Sequence, residues 1–180
     1  MKLLIASDLH GSAHNCRLLL NALEREGADR LVLLGDLLYH GPRNPLPQEY
    51  DPQTVAALLN DVKEQLFCVR GNCDADVDQL VLDFPILADH ALLSADGVEL
   101  LATHGHIYGP ENPPPMRSGS YLLCGHTHLP VRRELPGFTY LNPGSLALPK
   151  EGTPRSYLTL DQSHFVWHEL ETGVEFQPLP

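Results

Sequence analysis

Five apolar runs in this chain of 180 residues each close on a short polar motif, and that repeated junction limits the available folds more than any other feature. Leu3-Leu4-Ile5-Ala6 runs into Ser7-Asp8-Leu9-His10-Gly11, and Leu31-Val32-Leu33-Leu34 into Gly35-Asp36. Phe67-Cys68-Val69 leads to Gly71-Asn72-Cys73-Asp74, and Val98 to Thr103 leads to His104-Gly105-His106. Leu122-Leu123-Cys124 ends at Gly125-His126-Thr127-His128. Short apolar runs closed by such punctuation read as buried strands followed by loops. Gly125 can take backbone angles that a side chain would forbid, so the chain turns there and presents His126 and His128 together. In open α/β sheets, ligands collect outside the carboxyl ends of strands. Polar groups at five such ends therefore converge on one site.

The segments between these runs supply helices first and hairpins later. Ser12 N-caps a helix through about Glu26, with Leu19, Leu20 and Leu23 on one face and Gly27 as its stop. Tyr39 to Tyr50 holds Gly41, Pro42, Pro45 and Pro47 and reads as a loop. Asp51-Pro52 opens a second helix whose buried stripe is Val55, Leu58, Leu59, Val62 and Leu66. Asp76 to Phe84 reads as a short helix stopped by Pro85. Ala91 to Leu93 and Val98 to Thr103 form a hairpin about Asp96-Gly97. After the proline-rich loop Pro110 to Pro115, strands are expected at Val131–Leu135, Phe138–Leu141, Ser156–Leu160 and Phe165–Leu170. No internal repeat or linker interrupts this order. A single α/β domain over residues 1–180 is expected, with two sheets packed face to face and helices outside.

The formal net charge of −11 disfavours long nucleic acid and anionic membrane surfaces as partners, since both select basic protein surface. Only four apolar residues separate Met1-Lys2 from Ser7-Asp8, too few for a secretory leader, and no run has transmembrane length. The four cysteines lack metal-finger or disulfide spacing. Cys16, Cys68 and Cys124 lie in apolar patterns and are expected buried, and all four are expected as reduced thiols in the cytoplasm.

The chemistry at the five strand ends is that of a metal site. Asp8 and Asp36 bring negative charge, whereas His10, Asn72, His104, His126 and His128 are neutral ligands. Two divalent ions there would leave about two net positive charges, enough to hold a hydroxide and a phosphate oxygen. Oxygen and nitrogen donors without an assigned thiolate suit manganese, iron, zinc or nickel.

Asp8-x-His10, Gly35-Asp36, Gly71-Asn72, His104-Gly105-His106 and Gly125-His126-x-His128 together resemble the signature of the calcineurin-like metallophosphoesterases. The resemblance runs from residue 2 to about 160. The loops Gly71–Asp74, His40–Asn44 and Asn142–Ser145 resemble the small bacterial phosphodiesterases of the YfcE type. That resemblance implies a four-layer αββα sandwich of two mixed sheets. It implies one metal on Asp8, His10, Asp36 and His128, and a second on Asp36, Asn72, His104 and His126, with Asp36 bridging. Manganese is the metal it most suggests.

One position departs from the family pattern. Many members carry histidine after the motif asparagine, on the side of the leaving group, where this chain has Cys73. A thiol with a pKa near ~8.5 brings no positive charge for a dianionic monoester. The expected activity is therefore hydrolysis of a small phosphodiester by a metal-bridging hydroxide, with no protein nucleophile. The alternatives are a phosphomonoesterase or protein phosphatase, and a non-catalytic scaffold of the same fold such as the related retromer subunit. Asn72, Cys73, His106, Arg43 and His40 are the candidate substrate contacts, and the proline-rich loops are candidate surfaces for self-association. His14, His90, His164 and His168 fit no site pattern and read as surface or satisfied core.

Overall fold

The computed structural model describes residues 1–180 and forms two mixed sheets packed on one another. The first sheet has strand order β11-β10-β9-β1-β2-β3, where β1 is Leu3–Ala6, β2 Arg30–Leu33, β3 Leu66–Cys68, β9 Ser156–Asp161, β10 His164–Glu169 and β11 Glu175–Phe176. The second has order β4-β5-β6-β8-β7, with β4 His90–Ala95, β5 Val98–Thr103, β6 Ser120–Leu123, β7 Pro130–Leu135 and β8 Phe138–Pro143. Each sheet holds three parallel strands: β1, β2 and β3 at one end of the first, β5, β6 and β8 in the centre of the second. An antiparallel strand, β9, borders the first group on its β1 side, and β4 and β7 flank the second on both sides. The carboxyl ends of the parallel strands carry all five polar motifs.

Every residue of β1 is buried because the strand has a core on each face. Leu3 and Ile5 point into the layer between the sheets, where Leu100, Leu123, Leu141, Leu158 and Trp167 meet them. Leu4 and Ala6 point the other way, against helices α1 (Ala13–Glu26) and α2 (Pro52–Asp61). The outer face of the second sheet buries Leu101, Leu122 and Tyr140 beneath Met116 and Leu129, with Phe138 of β8 packed against them. Loop side chains therefore cover that face, as a segment with prolines at 110 and 113 to 115 cannot continue a helix. No helix is long and apolar enough to cross a membrane.

The helix boundaries follow their caps. Ser12 accepts the Asn15 N–H, and Gly27 ends α1 in the left-handed region at φ 58°. Cys16, Leu19 and Leu23 are buried while Leu20 stays half-buried, so the apolar face is rotated from the expected one. Asp51 caps α2 by accepting the Thr54 N–H at 3.1 Å. The helix stops earlier than its apolar spacing suggests: Val62 donates to Leu59 and a single tight turn, Lys63–Gln65, follows. Leu66 thus belongs to β3, and Ala56 takes its place in the buried stripe. Asp76 to Phe84 forms only a 3-10 turn at Asp76–Leu80, since side chains satisfy the backbone there. Asp78 accepts the Ala75 N–H, and the Gln79 amide bonds Leu82, Phe84 and Ile86. Among the thiols, all free, Cys16 and Cys124 are buried as expected, while Cys68 is only half-buried.

Candidate metal centre

The strand ends bring Asp8, His10, Asp36, His104 and His128 into one buried cluster. Asn72 and His106 are exposed beside it and His126 is half-buried, which makes their side the open one. Five of the seven expected ligands hold left-handed backbone angles: Asp8 (φ 59°), His10 (50°), Asp36 (57°), His126 (65°) and His128 (64°). Each such residue costs roughly 1–2 kcal/mol relative to ordinary geometry. Inter-strand bonds hold the strained turns in place: His10 donates to the Asp36 carbonyl at 2.9 Å and Gly125 to the His104 carbonyl at 2.9 Å.

The glycines of these motifs serve close approach. A Cβ on Gly125 would fall 1.9 Å from Ser7 Oγ, and one on Gly71 would fall 2.1 Å from Asp36 Oδ1. Gly125 is not among the positive-φ residues, so the reason expected from sequence, special backbone angles, is replaced by a spatial one. The carboxylates of the site lie directly against backbone that carries no side chain.

Hydrogen bonding fixes which face of each imidazole looks inward. His10 Nδ1 meets the Tyr39 carbonyl at 2.9 Å, His104 Nδ1 the Leu34 carbonyl at 2.6 Å and His128 Nδ1 the Leu148 carbonyl at 2.6 Å. A carbonyl accepts, so each Nδ1 carries a proton and each neutral ring aims its Nε2 lone pair into the site. There the lone pairs meet other acceptors. His10 Nε2 faces His128 Nε2 at 3.3 Å, and His104 Nε2 faces Asn72 Oδ1 at 3.0 Å. Asp8 Oδ1 is buried without a hydrogen-bond partner, 3.3 Å from His128 Nε2 and 3.7 Å from His10 Nε2. Asp36 Oδ2 lies 3.7 Å from His10 Nε2 and 3.5 Å from His104 Nε2. Acceptors gathered around a point without donors fit a bound cation, and the donor set suits divalent metal ions.

The electrostatics agree. Burial opposes ionisation of Asp8, but His10 and His128 outweigh it and hold the carboxyl well below the usual range. Asp36 is likewise lowered, through His104 against burial. Burial alone would lower the imidazoles, yet Asp8 raises His10, and Asp36 with Asp8 raises His104 to about 9. His126 and His106 go down, from burial and from the charge on His104. Where no cation balances the carboxylates, protons do.

The remaining candidates divide. Cys73 faces the cluster: its Sγ lies within 4.8 Å of ligand atoms of His10 and Asp36, and its N–H donates to Asp36 Oδ1 at 2.8 Å. Burial, then the neighbouring Asp36, push its thiol up to about 12. The His126 and His106 rings lie 5.1 Å and 5.4 Å from His104. His40 sits edge-on between Tyr39 and Tyr50, and Arg43 is exposed in the same loop. Of the histidines left unassigned, His168 is a satisfied core residue, bonded to Thr159 Oγ1 at 2.9 Å and stacked on Tyr157.

Three residues outside the expected set hold the strand-end motifs in place. Asp74 accepts N–H bonds from Asp36 (2.8 Å), Leu37 (2.8 Å) and Gly71 (2.7 Å), tying two motif loops together. Burial raises its carboxyl pKa despite these bonds. Asn142 Nδ2 donates to the Gly125 carbonyl at 2.7 Å, and Ser145 Oγ to the Asp8 carbonyl at 3.0 Å. All three lie in stretches singled out by their resemblance to the YfcE type, Gly71–Asp74 and Asn142–Ser145, which marked the segments without showing these contacts.

A buried carboxylate–imidazole cluster whose ligand atoms lie within 4.8 Å of one another, at the strand ends of two facing sheets, is the arrangement of a metal-dependent hydrolase. The chain belongs to the calcineurin-like phosphoesterase superfamily, whose domain model matches residues 1–164. It is 47% identical over 161 residues to the phosphodiesterase YfcE of Escherichia coli K12, covering 89% of this chain and 88% of that protein. It is 28% identical over 167 residues to the probable metallophosphoesterase YsnB of Bacillus subtilis, covering 89% and 83%. The solved structure of the E. coli phosphoesterase YfcE superposes with a TM-score of 0.95 at 42% identity, over 99% of this chain and 98% of that one. The sandwich of two mixed sheets with flanking helices, expected from the sequence, is the fold observed.

Proposed function

We propose that this phosphoesterase hydrolyses a small phosphodiester with two divalent cations. Asp8, His10, Asp36 and His128 hold one, and Asp36, Asn72, His104 and His126 hold the other. The observation that carries the reading is the set of facing acceptors, His10 Nε2 against His128 Nε2 at 3.3 Å and His104 Nε2 against Asn72 Oδ1 at 3.0 Å. Bound cations supply Lewis acidity, lowering the pKa of water and neutralising charge on the phosphoryl group. Asp36 serves both halves through one atom, since Oδ2 faces His10 and His104 while Oδ1 accepts the Cys73 N–H.

The chain's own groups orient and exclude. Carbonyls of Tyr39, Leu34 and Leu148 hold the inner nitrogens of three imidazoles free of protons in the neutral ring. Asn72, His126 and His106 line the open side, where a phosphoryl oxygen would meet them. Burial and the neighbouring Asp36 push the Cys73 thiol up to about 12 in the cation-free site, and neither form of a thiol brings positive charge, so the reading gives the nucleophile's part to water. That neutral group beside the site favours a monoanionic diester over a dianionic monoester.

Manganese is the first choice of metal, with iron, zinc or nickel as substitutes. The protein acts in the cytoplasm on a small diester rather than on long nucleic acid or at a membrane, in keeping with its net charge of −11. The Tyr39–Tyr50 and Pro110–Pro115 loops are the candidate surfaces for self-association. The test is stripping and reconstitution: chelation abolishes diester turnover, and a divalent transition metal restores it. Full turnover by protein shown to be metal-free ends the proposal.

A further inference from the structure

A groove of about 780 Å³ lies between α2 and the 3-10 turn at Asp76–Leu80. Tyr39, Tyr50, Ala56, Ala57, Val77 and Val81 line it together with Cys73, whose sulfur also lies within 4.8 Å of ligand atoms of His10 and Asp36. The groove and the metal centre are joined by covalent neighbours and contacts: the Tyr39 carbonyl accepts from His10 Nδ1, and the Cys73 N–H donates to Asp36. Val77 and Val81 are 63% and 52% exposed, although apolar, with nothing of this chain covering them. The size is that of a small-molecule pocket.

Charge decides what belongs there. No lysine or arginine lines the groove, and its only charged side chain is Asp78. A second phosphate, a carboxylate or a sugar phosphate would find no counter-charge, and Asp78 would repel it. An uncharged aromatic or branched aliphatic group would instead bury against the two tyrosines and the alanine face of α2.

On the phosphodiesterase reading above, we propose that this groove receives one of the two ester groups of the substrate, and that this group is uncharged and apolar, of aryl size. The diester would then span two environments, with its anionic phosphorus at the cations and its apolar arm along α2. Diesters whose arms carry further charge, such as those with a second phosphate, would be poor substrates.

The test uses two monoanionic phosphinates with no ester bond to cleave, benzyl(methyl)phosphinate and dimethylphosphinate, titrated by calorimetry into the metal-loaded protein. The benzyl compound should bind at least about tenfold tighter, since burying one ring is worth more than 1.36 kcal/mol per tenfold step. Ala57→Trp, at an exposed position on the groove wall, should remove that preference and leave dimethylphosphinate binding and metal content unchanged. Val77→Asp, exposed on the opposite wall, should act in the same direction, so misfolding of one variant does not decide the matter. Equal affinity of wild type for the two phosphinates overturns the groove assignment, even where diesters are hydrolysed. A benzyl preference that both variants retain does the same. Ring discrimination in a protein that cleaves no diester supports the groove and sinks the diesterase reading instead. A wild-type dimer that Ala57→Trp dissociates would assign the groove to a second copy of this chain.

Discussion

His10 and His128 turn their Nε2 atoms towards each other at 3.3 Å, while each Nδ1 is tied to a carbonyl oxygen. Two neutral imidazoles in that arrangement present lone pair to lone pair, with the unpaired Asp8 Oδ1 alongside. Either an added proton or a cation relieves the repulsion. The competition between the two governs how the site responds to pH.

Metal uptake at pH 7 should therefore release protons. His10 and His104 have raised pKa values, His104 about 9, and the cation takes the position of their Nε2 protons. The stability of the metal-free protein should carry the opposite sign. A group whose folded pKa lies above the unfolded value near ~6.5 stabilises fully below that pH and loses its contribution as pH rises through about 9. Melting of metal-free protein should thus weaken from pH 6.5 to 9, whereas metal affinity rises over the same interval. Calorimetry in buffers of different ionisation enthalpy counts the protons, and metal binding at pH 7 with no proton release contradicts this account.

Much of this was readable in the chain beforehand, because the five motifs combine rare residue types with a common place at strand ends. The caps of both helices, Ser12 and Asp51, were legible for the same local reason. What escaped was decided by distance in space. Leu66 lies in helical register with Val55 and Val62, yet pairing with Leu31 claims it for β3. Gly125 and Gly71 are required by Ser7 and Asp36, which are remote in sequence. Asp74 could not be told from any loop aspartate until three backbone N–H groups from two loops were seen to converge on it.

Asp36→Ala should lose both metals, whereas His10→Ala should weaken only one. Asp36 Oδ2 faces imidazoles of both halves, at 3.7 Å and 3.5 Å, while the His10 ring belongs to one. Metal analysis after gel filtration checks this. An Asp36→Ala protein that retains two equivalents removes the bridging role.

Asp74→Ala should unfold more easily and bind metal poorly, although no metal touches that residue in the proposed site. The substitution strands three backbone N–H groups that are otherwise paired at 2.7 to 2.8 Å. At about 1–3 kcal/mol for each buried unsatisfied group, a loss of roughly 3 kcal/mol or more is expected. Denaturant melts of the metal-free protein isolate this from ligand binding. A change under about 1 kcal/mol there would show that water satisfies those groups.

Gly125→Ala should be destabilising despite adding a single methyl group. The new Cβ would lie 1.9 Å from Ser7 Oγ and 2.8 Å from Asp8 Oδ2, so the strand end or the carboxylate must move. Overpacking of this kind costs typically about 1–3 kcal/mol. Gly97→Ala, in an open turn with nothing within 4 Å, serves as the control, because its φ of 78° brings backbone strain without a clash. Metal affinity should fall for Gly125→Ala and hold for Gly97→Ala. Equal affinity in the two variants would separate the close approach at Gly125 from metal binding.

Cys73 is where the choice between diester and monoester should lie. Its sulfur faces His10 and Asp36, and its thiol, pushed up to about 12, offers a dianionic monoester no positive charge. Wild type should cleave an aryl diester well and the matching monoester poorly. Cys73→His would place an imidazole with an ordinary pKa near ~6.5 at that point, able to bind the extra charge and protonate the leaving oxygen. One charge-assisted hydrogen bond of about 1.5–3 kcal/mol corresponds to roughly a ten- to hundredfold gain in monoester turnover. Cys73→Ser keeps a small neutral group there and should leave diester turnover within about threefold of wild type, since the reading gives the sulfur no nucleophilic part. Loss of diester cleavage in Cys73→Ser, with both metals still bound, would make the thiol catalytic and the water mechanism wrong.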